Sequence, residues 1–312
     1  MSARATIKRS LFFRLNDYLA LSRTPHALLD LAGPGLAALL CLGTFPSPAI
    51  ILIGFVTAFA GYTAVYALND IVDYRVDRKI WGLRTVETIT PDLDGLFVRH
   101  PLAQGLISFR AALTWCIFWS AVAVIGAWWL NPFCLAIFIL AAFLETIYCA
   151  LLKITWLRSV VSGFVKTSGP VAAVFAVNPD PPLSFVLLLF LWFFFWEIGG
   201  QNVPNDLSDM ETDRDLQAKT IPVRFGIRTS SSIILLSLAL AYVLSFALPI
   251  ATAVQFNLLY PIGAGLCGLW LLLTPAMSLF LSHDTRKAFR LFNLASYYPL
   301  ALLACLTISL LF

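Results

Sequence analysis

The chain has 312 residues, of which 60% are hydrophobic and 12% are charged, and its mean hydropathy is +0.85. A soluble domain carries roughly twice that share of charged residues, so these values exclude an ordinary soluble protein and indicate a membrane protein. The net charge of +4 reflects orientation and contact with anionic lipid, and nothing in the sequence indicates a nucleic-acid partner or an obligate protein partner.

Residues 1–25 precede the first long apolar stretch, and charges interrupt every apolar run within them, so we expect no cleavable signal peptide. Leu11, Leu15 and Tyr18 form one helical stripe beside basic residues. This pattern predicts an amphipathic helix lying on the cytoplasmic membrane surface. We therefore divide the chain into this N-terminal segment and a single transmembrane domain at 26–312.

Nine apolar stretches are long enough to cross a bilayer, which takes about 20 helical residues each. The predicted spans are 27–45, 50–68, 106–130, 132–152, 158–177, 183–203, 231–250, 255–281 and 289–311. Because no polar linker or low-complexity segment separates them, they predict an all-α bundle in the membrane.

Basic residues alternate between the segments that connect these spans. Lys and Arg precede the first span and follow the second, fourth, sixth and eighth, whereas the loops after the odd-numbered spans up to the seventh contain none. The positive-inside rule therefore predicts a cytoplasmic N-terminus, cytoplasmic even-numbered loops and an outer C-terminus. The two longest cytoplasmic loops are expected at 78–105 and 214–230.

Two of the predicted helices carry the same sequence motif, N-D-x-x-D-x-x-x-D, at their cytoplasmic ends. The first acidic motif is Asn69, Asp70, Asp73 and Asp77, and the second acidic motif is Asn205, Asp206, Asp209 and Asp213. Residues four apart share one helix face, so each motif is a row of like charges that repel unless cations lie between them. Mg²⁺ prefers one or two carboxylates together with substrate phosphate oxygens, so two facing rows predict a clamp for a diphosphate. The alternative is that both rows are solvated helix ends that mark the membrane surface.

The two motifs, NDIVDYRVDRK and NDLSDMETDR followed by KTIPVRFG, resemble the aspartate-rich motifs of the UbiA-type intramembrane prenyltransferase superfamily. The stretches RHPLAQGLIS at 99–108 and YCALLK at 148–153 resemble the segments that follow the first motif and the fourth helix in that family. The chain departs from the family pattern in three ways. The loop before Arg99 is longer, Arg-His-Pro replaces Arg-Pro, and Gln217 stands where relatives commonly have Gly.

The resemblance implies a nine-helix UbiA-like bundle that transfers a prenyl group from an isoprenyl diphosphate to an acceptor with Mg²⁺ as cofactor. It implies that Asp73 and Asp209 are central to catalysis. The expected metal ligands are Asp70, Asp73, Asp77, Asp206, Asp209 and Asp213. The expected contacts to the diphosphate come from Asn69, Asn205, Arg23, Arg99 and Lys153, with Lys153 also a catalytic candidate. For Arg23 and Arg99, anchoring at the membrane surface is the alternative.

Ionisable residues inside a span are costly, which singles out two more side chains. Lys166 either snorkels to the cytoplasmic surface or points inward at a phosphate or a carboxylate, and we favour the inward orientation and a contact to the diphosphate. Glu197 lies four residues before Gln201 and is expected to bind the acceptor or take its proton. One or two rings of Trp192–Trp196 are expected to line the pocket, where cation–π attraction is worth ~2 kcal/mol.

The resemblance favours an aromatic acceptor, similar to 4-hydroxybenzoate or a quinone precursor. Alternatives are a lipid glycerol phosphate, a phosphorylated sugar, or a UbiA-type terpene cyclase that needs no acceptor. Glu145 is a further candidate for acceptor binding, and Asp30 is expected only to pair with a buried base. A cation transporter is the alternative from another class, but it would place its carboxylates near the membrane midplane, at broken helices.

Overall fold

A computed structural model describes residues 11–83, 98–252 and 257–311. Within these residues the chain is helical and contains no strand. The helices are α1 (Leu11–Leu21), α2 (Thr24–Asp30), α3 (Ala32–Leu42), α4 (Pro48–Val72), α5 (Tyr74–Leu83), α6 (Phe109–Leu130), α7 (Pro132–Ala150), α8 (Arg158–Val177), α9 (Leu183–Trp196), α10 (Val203–Ser208), α11 (Met210–Asp215), α12 (Ile221–Ala247), α13 (Leu259–Gly268), α14 (Thr274–Ser282), α15 (Thr285–Ser296) and α16 (Tyr298–Leu311).

These helices combine into nine stretches that are long and apolar enough to span a membrane within the described part of the chain. The stretches are Thr24–Leu42, Pro48–Lys79, Phe109–Leu130, Pro132–Lys153, Arg158–Val177, Leu183–Ser208, Ile221–Ala251, Leu259–Ser282 and Thr285–Leu311. Each coincides with one of the nine predicted spans, so the predicted all-α membrane fold is confirmed. The chain is an integral, multi-pass membrane protein.

Two of the predicted loops differ from the structure at their bounds. The first, at 78–105, begins later because α5 continues to Leu83, and residues 84–97 lie outside the described part of the chain. The second, at 214–230, is largely helical because α12 begins at Ile221, where Pro222 occupies the first turn. Proline favours that position since its missing N–H would have no partner there.

Both acidic motifs are interrupted at the central aspartate, which corrects the expectation of a row on one continuous helix. Asp73 caps α4, and Asp209 separates α10 from α11. Their backbones share the bridge region, with φ −83° and ψ 0° at Asp73 and φ −99° and ψ 11° at Asp209. This sparsely populated region is where many active-site residues lie.

A π-helical turn over Glu197–Asn202 connects α9 to α10. Pro204 follows it, and a proline lacks the N–H that an α-helix needs while its ring clashes with the carbonyl four residues earlier. A widened turn relieves that clash, and such turns are frequent at functional sites. Gly199 permits close packing here, because a Cβ atom at this position would lie 2.9 Å from the carbonyl oxygen of Ile234.

The apolar core lies mainly in the second half of the bundle. Trp192, Tyr260 and Tyr298 are its largest fully buried side chains, and Leu238 packs with them. In the first half, α1 is helical over Leu11–Leu21 and packs against α6, where the Tyr18 and Trp115 rings lie 4.9 Å apart. The placement of α1 on a membrane surface stays a prediction.

Candidate active site

A single large cavity of about 2050 Å³ receives both acidic motifs. It is lined by all eight of their residues, Asn69, Asp70, Asp73, Asp77, Asn205, Asp206, Asp209 and Asp213. Arg23, Arg99, Lys166 and Glu197 also line it. Lys153 does not, because it lies exposed in the turn after α7. The structure therefore gathers the predicted site residues except Lys153.

The cavity extends far from its acidic end. Ile50 near the start of α4 and Asn69 near its end both line it, and these positions lie about 28 Å apart along an α-helix. Apolar side chains line the part distant from the aspartates, including Phe45, Phe55 and Leu303. A charged end joined to a long apolar end suits a ligand with an anionic head and a hydrocarbon chain.

Groups from separate parts of the chain surround the first acidic motif. The Asn69 side-chain amide donates to Glu145 Oε1 over 2.6 Å, and its Oδ1 accepts from Arg23 Nη2 over 3.4 Å. These two contacts orient the amide so that its oxygen faces the basic side chain. Arg23 Nη2 also lies 3.6 Å from Asp70 Oδ1. Glu145, a candidate for acceptor binding, thus contacts a residue of the predicted metal site.

His100 is a site residue that sequence reasoning did not assign. Its Nδ1 lies 3.0 Å from Asp77 Oδ2 and 3.4 Å from Asp70 Oδ1, and its backbone φ is 50°. Burial acts to lower the pKa of His100, but the carboxylates of Asp70 and Asp77 outweigh it and raise the pKa to about 9. The sequence signal was the departure from the family pattern at Arg-His-Pro.

The second acidic motif has a buried ion pair. Arg158 Nη1 lies 3.3 Å from Asp206 Oδ1, and both side chains are buried. The Arg158 guanidinium also lies 4.0 Å from the centre of the Tyr148 ring, and the Tyr148 hydroxyl accepts from Asn202 over 3.1 Å. Sequence reasoning singled out Lys153 from this region, whereas the structure places Arg158 in the cavity wall.

The last aspartate of the second motif lies beside the start of α12. Thr220 donates a hydrogen bond to Asp213 Oδ2 over 3.1 Å. Burial raises the pKa of Asp213 to about 6, although Thr220 and Arg158 act in the opposite direction. Gln217, between these two residues, has a φ of 59°, which explains why glycine suits this position in the resembled family.

Deeper in the cavity, Lys166 points into the bundle as the inward interpretation predicts. Its Nζ lies 2.6 Å from Asp30 Oδ2 and 2.7 Å from the Tyr66 hydroxyl, so Asp30 pairs with a buried base as expected. Glu197 lies in the same region, where Ser162 donates to its Oε1 over 2.6 Å. Its Oε2 is buried and accepts no hydrogen bond from the described residues.

The expectation about the aromatic run before the second motif is wrong. None of the five residues at 192–196 lines the cavity, and Trp192, Phe193 and Trp196 are buried in the apolar core instead. The rings that do line it are Phe45, Phe55, Tyr62, Tyr66, Phe138, Tyr148 and Phe292. All but Phe45 come from other helices, and tertiary packing brings the Tyr66 and Tyr148 rings beside Arg23 and Arg158 near the acidic end.

The donor groups of the two motifs fit a hard divalent cation. Asp70 Oδ1 and Asp206 Oδ2 are buried and accept no hydrogen bond from the described residues. A buried carboxylate oxygen that accepts no hydrogen bond is costly, and a bound cation lowers that cost. Carboxylate and amide oxygens are the ligands that Mg²⁺ and similar ions take. The residues present therefore fit such an ion at both motifs.

Comparison with known proteins agrees with the geometry. Residues 31–297 match the model of the UbiA prenyltransferase family. A digeranylgeranylglyceryl phosphate synthase from Thermococcus kodakarensis is 25% identical over 78% of this chain and 80% of its own. A 4-hydroxybenzoate octaprenyltransferase from Francisella tularensis subsp. novicida is 24% identical over 82% of this chain and 85% of its own.

Solved structures share the fold. A UbiA homologue from Aeropyrum pernix superposes with a TM-score of 0.70 at 18% identity, over 91% of this chain and 97% of its own. A UbiA homologue from Archaeoglobus fulgidus, bound to GPP and Mg²⁺, superposes with a TM-score of 0.63 at 18% identity, over 93% of this chain and 99% of its own.

Proposed function

Because the chain belongs to the UbiA prenyltransferase family, we propose that it transfers a prenyl group from an isoprenyl diphosphate to an aromatic acceptor. We further propose Mg²⁺ as its cofactor and a cytoplasmic orientation for its acidic end. The observation that carries the proposal is the convergence of both acidic motifs on one end of a cavity whose remainder is apolar. The basic residues near that end support the orientation by the positive-inside rule.

The acidic end is suited to a diphosphate. Mg²⁺ held by the carboxylates of both motifs, with Asn69 and Asn205, would neutralise the diphosphate and stabilise the charge that develops on it as it leaves. Arg23 and Arg99 line the same end and are proposed to contact the diphosphate oxygens. Lys166 is also proposed to contact the substrate, although it pairs with Asp30 in this structure.

The chemistry breaks the C–O bond between the prenyl carbon and the diphosphate, and the electron pair leaves with the diphosphate oxygen. The apolar wall excludes water from the allylic cation, and the Tyr62 and Tyr66 rings are electron-rich neighbours on the cavity surface. A carbon of the acceptor ring then forms the new bond. The ring loses a proton, for which Glu197 is the proposed base.

The acceptor is proposed to bind in the deeper polar region. Here the positive charge of Lys166 lies against Asp30, and Glu197 adds a second carboxylate. A hydroxyl group of the acceptor can donate here to Glu197 Oε2, which accepts no hydrogen bond from the described residues. This charge distribution supports a hydroxylated aromatic acceptor.

Transfer to a lipid glycerol phosphate is the second candidate. It is supported by the likeness to the digeranylgeranylglyceryl phosphate synthase of Thermococcus kodakarensis. For such an acceptor, its phosphate would lie at the cavity end that carries Arg23 and Arg99. The two candidates differ in which end of the cavity recognises the acceptor.

The test measures pyrophosphate release and prenylated product from geranylgeranyl diphosphate with Mg²⁺. We expect product with 4-hydroxybenzoate, and loss by about 10²–10³-fold in Asp73→Asn and Asp209→Asn because the leaving charge loses stabilisation. Asp180→Asn, an exposed residue that does not line the cavity, is the control and should keep full activity. Product only with a prenylated glycerol phosphate would select the second candidate. Absence of release with every acceptor would overturn prenyl transfer.

A further inference from the structure

His100 brings an imidazole nitrogen to the first acidic motif. Its Nδ1, an oxygen of Asp70 and an oxygen of Asp77 all lie within 4.8 Å of one another. Among the described residues no comparable group of three is found at the second acidic motif, where Arg158 contacts Asp206 and Thr220 donates to Asp213. The two motifs therefore offer different donor atoms.

The separations between these atoms are those of ligands around one metal ion. Ligands bound at about 2.1 Å lie about 3.0 Å apart when they are at right angles and about 3.4 Å apart when they are tetrahedral. The observed distances from His100 Nδ1 are 3.0 Å to Asp77 and 3.4 Å to Asp70. A divalent ion that replaces the proton on His100 Nδ1 can therefore reach His100 together with either carboxylate without a large movement of the helices.

The burial of these atoms also points to a ligand. Asp70 is 3% exposed, and its Oδ1 lies within ion-pair distance of Arg23 and His100 but accepts no hydrogen bond of normal geometry from the described residues. His100 Nδ1 is likewise buried and has no hydrogen-bond partner among them that meets normal geometry. The backbone of His100 lies in the left-handed region, with a φ of 50°, immediately before Pro101.

We propose that His100 is a nitrogen ligand of the divalent ion at the first acidic motif, which gives this site an affinity for Mn²⁺, Co²⁺ and Zn²⁺ beyond that of the second motif. The inference rests on the proposed function only for the presence of a divalent ion at the motif. Imidazole suits transition metals, whereas Mg²⁺ is bound by oxygen atoms. The second acidic motif, with carboxylate and amide oxygens, keeps the preference for Mg²⁺.

The decisive measurement is pulsed EPR of Mn²⁺ bound to the purified protein, grown with natural or ¹⁵N-labelled histidine. We expect a nitrogen coupling that changes with the label and disappears in His100→Gln. His283→Gln, in a separate connection between α14 and α15, is the matched control and should keep the coupling. A wild type without nitrogen coupling, or a coupling that persists in His100→Gln, would overturn the proposal.

Binding titrations give a second readout that does not depend on turnover. Loss of a direct ligand in His100→Gln should weaken Mn²⁺ and Zn²⁺ binding by at least about tenfold, while Mg²⁺ binding changes by less than about threefold. Equal losses for all three ions would contradict the selectivity. Pyrophosphate release with Mg²⁺ is measured on the same samples, so failure of prenyl transfer and failure of nitrogen ligation are told apart.

Discussion

The two acidic motifs share a sequence pattern and a helix break at the central aspartate, but different cationic side chains lie against them. Arg23 and His100, which lie against the first motif, each keep 33% of the side chain exposed. Arg158, which lies against the second motif, is only 7% exposed. The first motif thus lies against partly exposed groups at the cavity rim, and the second against a cation fixed inside the bundle. An identical sequence pattern does not imply an identical electrostatic environment.

The largest effect is expected at the buried pair of the second motif. Arg158→Met leaves Asp206 buried without its partner, which should lower the free energy of unfolding by about 3–5 kcal/mol. Denaturant titration of the protein in detergent measures this change. The double variant with Asp206→Asn should recover most of it, because no charge is then left unpaired.

Lys153→Met is the matched control for that prediction, since Lys153 is an exposed cation five residues earlier in the chain. It should leave both stability and pyrophosphate release close to those of the wild type. A large loss of activity in this variant would restore the sequence-based assignment of Lys153 to the diphosphate.

An intermediate effect is expected at the first motif, where Glu145 orients Asn69. In Glu145→Gln, the new amide can donate as well as accept, so the Asn69 oxygen is no longer held toward its ligands. Loss of such an orienting partner typically costs about 10–100-fold in metal affinity. The Mg²⁺ concentration for half-maximal activity should rise accordingly, and exposed Glu211→Gln should not change it. An unchanged requirement in Glu145→Gln would remove Glu145 from the site.

The smallest effect is expected at Thr220, whose hydroxyl donates to Asp213. Thr220→Val removes one hydrogen bond worth about 1 kcal/mol, so pyrophosphate release should fall about fivefold. Thr220→Ser keeps the hydroxyl and should retain most of the activity. If Thr220→Ser loses more activity than Thr220→Val, packing of the buried Thr220 methyl group matters more than its hydrogen bond.

Much of the fold was predictable because membrane helices are specified locally. Each span needs only a run of apolar residues, and the nine runs in the sequence coincide with the nine helical stretches of the described chain. The helix breaks at Asp73 and Asp209 were not predictable in this way. Both positions continue an i, i+4 pattern, and the pattern carries no signal for the bridge-region backbone that ends each helix there.

The sequence by itself determined the membrane class and the two acidic motifs and favoured the inward orientation of Lys166, because hydrophobicity, residue spacing and the cost of an intramembrane charge act over a few turns of helix. Only the tertiary structure decided which side chains accompany those motifs. Glu145 meets Asn69 across 76 positions, and Arg158 meets Asp206 across 48. Such pairs form because packed helices bring distant residues within hydrogen-bonding distance, and no local pattern specifies which faces will meet.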